Sequence, residues 1–295
     1  MKERNAKYFG LSLSNANLKY IGSIAMLLDH IWFYFPEQTP ILFHWIGRIA
    51  APLFLFCLAE GMRHTKNRNL YLCRLLGMNL LMIILCEFFH LEQNFIGDLF
   101  QTALLIDLYI TWKENESCRK WKLVIYLLSQ ILSASIIIFC AEMLEGLSNE
   151  LHLFVSLLCC SSLIITEGGI LFVLLGVCYY FANKQTVWIL TITSLFVVVY
   201  YLLYYTPCAS VAITYTAILL GRPIAIFFQI TLHYFFHYYG WKQLTNISIF
   251  SLECQWMMIF SFIPICFYQG EHGKQNKWLF YFFYPAHLVL LSVLR

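Results

Sequence analysis

Apolar stretches follow one another along this chain, each close to the roughly 20 residues a helix needs to cross a hydrocarbon core. They fall at 18–35, 41–60, 70–89, 95–112, 122–141, 151–166, 168–183, 186–205, 209–230, 247–267 and 277–294. In hydrocarbon every backbone N–H and C=O needs a protein partner, and a helix supplies one within its own segment. The expected fold is therefore all-α: a polytopic integral membrane helical bundle of about ten or eleven transmembrane helices, some short or broken. Of the 295 residues 60% are hydrophobic and only 12% charged, and the mean hydropathy is +0.69. One soluble core of this size does not hide that much apolar surface. A secreted disulfide scaffold, a disordered chain and a typical DNA-binding domain are excluded. A net charge of +3 gives no reason to expect a nucleic-acid partner. The eleven cysteines form no C-x-x-C pair, so they read as small packing residues, with neither a metal nor a disulfide required.

The chain reads as a single transmembrane domain over 1–295, with residues 1–17 as a cytoplasmic N-terminal segment and no cleaved leader. Orientation follows from the basic residues. Lys2, Arg4, Lys7 and Lys19 precede or open span one; Arg63, Lys66, Arg68 and Arg74 follow span two; Lys113, Arg119, Lys120 and Lys122 follow span four. The alternate loops 36–40, 90–94 and 142–150 hold no Lys or Arg. The expected location is the cell membrane, multi-pass, with the N-terminus cytoplasmic. Thr166-Glu167-Gly168-Gly169 joins two short segments, as a tight turn or as a break at membrane depth. Gly221-Arg222-Pro223 interrupts the span at 209–230.

Ionisable groups at membrane depth cost roughly 2.5–3.5 kcal/mol each on insertion scales, so they mark function by default. Span one carries Lys19, Asp29 and His30. Lys19 and His30 are eleven positions apart, about three helical turns, so they share a face about 16.5 Å apart along the axis. Asp29 points about 100° away from His30. Span two runs antiparallel and brings Arg48 to a similar depth, where pairing with Asp29 satisfies both. Gly47 permits close helix approach and Pro52 is expected to kink the span. Glu60, Arg63 and His64 cluster at the inner end, where an ordinary interfacial charge cluster is the competing reading. Glu87, Asp98, Asp107, Glu167, Arg222 and His287 add polar groups further along. His233 and His237 stand i, i+4 as metal ligands can, but they lie among aromatics and read as an interfacial belt.

These residues carry a resemblance. Asp29-His30-Ile31, Gly47-Arg48-Ile49-Ala50 with Pro52-Leu53-Phe54, and Glu60-Gly61 with Arg63-His64-Thr65 and Asn67 resemble the TraX family. So do Tyr268-Gln-Gly-Glu-His-Gly and Phe282-Phe-Tyr-Pro-Ala-His287-Leu. The family is named for the F-pilin acetylase of conjugative plasmids and looks like a branch of the integral-membrane acyltransferases. Members of that wider group draw acetyl-CoA from the cytosol, and often carry a basic residue eleven positions before a membrane histidine. Lys19 and His30 match that spacing, with Lys for the commoner Arg; Gly97-Asp98-Leu99 is not a close match.

The resemblance implies a membrane acetyltransferase using acetyl-CoA as donor, without a metal. The acceptor would be a hydroxyl or amine on a peptide, a pilin-like protein or a surface glycan, at or across the bilayer. Its catalytic candidates are His30, Asp29 and Arg48; its donor-binding candidates are Lys19, Glu60, Arg63, His64 and Arg68; His287 and Glu167 stand second. His30 would act as general base or take the acetyl group transiently. Asp29 would orient His30 or pair with Arg48, and Arg48 would otherwise stabilise the oxyanion. The competing function is a proton-coupled transporter or flippase, which also uses broken helices and membrane acids.

Overall fold

The computed structural model describes residues 12–91, 95–114, 117–143, 149–183, 185–236, 254–271, 273 and 277–295. Among them the chain is helical, without strands. The helices are α1 (Asn15–Tyr34), α2 (Leu42–Gly47), α3 (Ala50–His64), α4 (Arg68–Phe89), α5 (Phe95–Lys113), α6 (Arg119–Met143) and α7 (Asn149–Leu158). They continue as α8 (Gly169–Ala182), α9 (Thr186–Tyr204), α10 (Cys208–Leu220), α11 (Arg222–Phe236), α12 (Phe262–Cys266) and α13 (Lys277–Leu294). Two 3₁₀ segments, Leu163–Ile165 and Cys254–Ser261, precede α8 and α12.

Five stretches among the described residues are long and apolar enough to cross a membrane: Leu42–His64, α4, α5, Arg119–Ile137 of α6, and α9. The chain is a membrane protein, and the expected ten or eleven spans are not confirmed among the described residues. The reason is local. The stretch at 209–230 is not one span but the helix pair α10 and α11, which pack along each other. Gly221 between them takes φ +94°, a left-handed value open to glycine, and Pro223 sits in the first turn of α11, where its missing N–H is harmless. The stretch at 151–166 stops at Leu158. Most of α6 is exposed and apolar, with Ile125, Ile131 and Leu132 facing outward, as lipid contact requires.

The break between α7 and α8 frees backbone groups that other helices then satisfy. Asn79 of α4 donates to the Cys160 carbonyl at 2.8 Å. Gln130 of α6 donates to the Ser161 carbonyl at 2.6 Å and accepts from the Leu163 N–H at 2.9 Å. Gln101 of α5 also donates to Ser161 O. Irregular backbone at membrane depth survives only when so paired. At the same break the Gly168 N–H donates to Asp98 Oδ2 at 3.2 Å.

Span two breaks where a kink at Pro52 was expected. Helix α2 ends at Gly47 and α3 begins at Ala50, with Pro52 in its first turn. Pro52 has no N–H to offer the Arg48 carbonyl four residues back, so the chain turns at Arg48-Ile49. Helix α1 packs against α2, α3 and α13. Its N-cap Ser14 accepts from the Asn17 N–H at 3.2 Å. Segment 267–271 is tied beside that end: Leu13 N–H donates to Phe267 O at 3.0 Å and Asn15 N–H to Glu271 O at 2.8 Å.

Candidate active site

Asp29 leaves α1 toward α2. Its carboxylate binds the Arg48 guanidinium and sits 2.7 Å from His44 Nδ1. A Cβ on Gly47 would collide with the Asp29 side chain, so only glycine lets α2 come this near to α1. Arg48 Nη1 donates to Gln255 Oε1 at 3.0 Å. The His44 ring stacks on Trp32, with centroids 4.1 Å apart. Asp29, His44 and Arg48 thus form one partly buried cluster in which the carboxylate orients both partners. His44 and Gln255 were outside the sequence reading. His44 had a signal, since it stands four residues before Arg48 and so shares its helical face.

His30 points elsewhere, to His287 of α13. Both are buried, at 6% and 5% exposure. His287 Nδ1 lies 2.7 Å from the Phe283 carbonyl. A carbonyl only accepts, so Nδ1 carries the proton, and in the neutral ring Nε2 is left with the lone pair. His30 Nδ1 lies 2.6 Å from that Nε2 and must therefore be the donor. A neutral His30 then has its own lone pair on Nε2. One backbone carbonyl fixes the tautomers of two rings in series, and the outcome is an unprotonated Nε2 on His30 with His287 behind it.

Two cavities flank α1. The first, about 880 Å³, is lined by Lys19, His64, Lys66 and Arg74 among its polar residues, with Asn67, Tyr71 and Tyr281. The second, about 540 Å³, is lined by Asp29, His30, His44, Arg48, Glu167 and Gln255, with Tyr200, Tyr204 and Tyr205. Both volumes fall in the range of small-molecule sites. The Lys19 ammonium stands 5.6 Å from the Phe280 ring. Lys19 and His30, one face of one helix, thus open to different cavities.

The structure brings His30, Asp29, Arg48 and Glu167 to the second cavity and Lys19 and His64 to the first. Three other donor-binding candidates are placed elsewhere. Arg63 pairs with Glu60 and donates to the Tyr179 and Tyr180 carbonyls at the end of α8. Glu60 is fully buried and accepts from the Tyr268 hydroxyl at 3.1 Å. Arg68 pairs with Asp107 at 3.0 Å and Glu114 at 2.9 Å. These three tie helices together away from the cavity walls, and Lys66 and Arg74 occupy the basic rim in their stead. His287 lines neither cavity and is in contact with His30 behind the second. His237 and His272 lie outside the described residues. No cluster of three or more His, Cys, Asp or Glu positioned to hold a metal occurs among the described residues.

Against known proteins, residues 14–148 match the family described as TraX protein. No match is found among curated proteins or among solved structures.

Proposed function

We propose, from the match of residues 14–148 to the TraX family, that this membrane protein is an acetyl-CoA-dependent acetyltransferase. The donor occupies the first cavity, its phosphates at Lys19, His64, Lys66 and Arg74, where the lysine ammoniums offer point charges and the arginine a planar fork to phosphate. The acceptor, a hydroxyl or amine on a peptide, pilin-like protein or glycan, occupies the second. The observation that carries this reading is the Phe283–His287–His30 chain, which leaves the His30 lone pair on Nε2, with His30 in the wall of the second cavity.

In the proposed step His30 Nε2 takes the acceptor proton as the acceptor's oxygen or nitrogen attacks the thioester carbonyl. The imidazolium so formed still donates from Nδ1 to His287, whose Nε2 stabilises it. Arg48, held by Asp29 and Gln255, places positive charge in the same wall, where it can stabilise a developing oxyanion. Collapse of the intermediate breaks the C–S bond, the His30 imidazolium passes its Nε2 proton to the leaving sulfur, and CoA returns to the first cavity as the thiol with His30 neutral again. With the N-terminus cytoplasmic, the basic rim faces the cytosol, where acetyl-CoA is available, and the acetyl group moves outward.

The test is donor binding by detergent-purified protein with no gradient imposed. Wild type binds acetyl-CoA and slowly releases free CoA, and Lys66→Ala with Arg74→Ala weakens binding by about tenfold. Folded protein that neither binds nor consumes acetyl-CoA overturns the reading and leaves a gradient-driven carrier.

A further inference from the structure

Four side chains belong to the walls of both cavities: Met26 of α1, Phe54 of α3, Phe95 at the start of α5 and Tyr284 of α13. They stand between the basic rim and the histidine chain. We propose that they form a septum that only the acyl end of the donor crosses, and that it restricts the donor to thioesters of short acyl chains. This rests on the acetyltransferase reading above.

One half of the septum is fixed. The Phe95 N–H donates to the Tyr284 hydroxyl at 2.9 Å, which ties the start of α5 to α13. Tyr284 is buried and stands one turn before His287, so this wall is continuous with the histidine chain. The other half, Met26 and Phe54, is apolar. It is confined by packing: a Cβ on Gly22 would lie 3.3 Å from the Phe54 ring, so the ring already abuts the α1 backbone and does not retreat on that side.

Distance sets the acyl length. Met26 precedes His30 by one turn of α1, about 6 Å of rise. An acyl group that passes Met26 meets the His30–His287 pair within that distance, and each further methylene needs space that Met26 and Phe54 fill. Discrimination of one methylene by a tight apolar wall is worth about 10- to 200-fold.

The test measures free-CoA release by the purified full chain supplied with acetyl-, butyryl- or hexanoyl-CoA. Wild type favours acetyl-CoA over butyryl-CoA by at least about tenfold. Phe54→Ala raises the butyryl-to-acetyl ratio by about tenfold, Met26→Ala moves it the same way, and adding His30→Gln removes the butyryl activity gained. Equal wild-type turnover of all three donors overturns the septum, as does an unchanged ratio in either folded variant. If Phe54→Ala does not fold, Met26→Ala decides alone. Folded wild type that releases CoA from no donor strikes down the acetyltransferase reading instead, a distinct outcome.

Discussion

Asp29 serves two partners with one carboxylate, Arg48 on one oxygen and His44 on the other. Removing Arg48 leaves the carboxylate with His44 alone. The pair is partly buried, and breaking a fully buried pair costs about 3–5 kcal/mol, which sets the upper bound; Arg48→Ala therefore lowers the thermal unfolding midpoint in detergent more than His44→Ala, which leaves the charge paired. A second prediction concerns His287. Its part is to accept from His30 Nδ1, and a glutamine carbonyl can do the same. His287→Gln therefore keeps CoA release within about tenfold of wild type. His287→Leu loses a hundredfold or more, toward the ~10⁴-fold that loss of an orienting group costs in a triad. Equal losses in both variants would mean that His287 acts by some other route. The Asp29–Arg48 partnership was legible in the sequence because two charges at matched depth on adjacent antiparallel spans have few other ways to be satisfied. The His30–His287 chain was not: 257 positions separate the rings, and no periodicity spans that gap.

Helices here are placed by what they lack as much as by what they bury. Pro52 withholds one N–H, so Arg48 falls in a turn between α2 and α3. Gly47 withholds a Cβ, so Asp29 reaches that turn. Gly47→Val forces Asp29 aside and destabilises the folded protein by about 1–3 kcal/mol, as overpacking does; an unshifted unfolding midpoint would show that α1 and α2 tolerate more separation. The α7–α8 break makes the complementary point. Its carbonyls depend on Asn79, Gln101 and Gln130, three amides that are unremarked polar residues within apolar runs. Gln130→Leu strands the Leu163 N–H and costs about 1–3 kcal/mol, read out by the same unfolding measurement. The positions of the helices were legible from hydropathy. Their continuity was not, because a broken span and an intact one have nearly the same hydropathy and differ in the polar partners that distant helices supply.

The whole molecule sets two cavities on either side of α1, one with a basic rim and one with the histidine and arginine cluster, sharing a wall of four residues. That division accounts for the separate placing of Lys19 and His30. It also explains why Glu60, Arg63 and Arg68, basic-end residues by sequence, serve structure instead: their partners Tyr268, Tyr179, Tyr180, Asp107 and Glu114 come from distant segments that spacing alone does not bring near. Donor binding at an exposed basic rim weakens with ionic strength, since the Debye length falls from about 10 Å at 0.1 M to about 3 Å at 1 M. An acetyl-CoA affinity independent of salt would place the donor elsewhere. The most direct measurement compares wild type and His30→Gln for acetyl-CoA affinity and for the rate of free-CoA release in the same detergent preparation. The expected result is unchanged affinity with release slowed about 10²- to 10⁴-fold, the range a positioned general base contributes. Release at the wild-type rate by folded His30→Gln protein would contradict the assignment of His30 as the base.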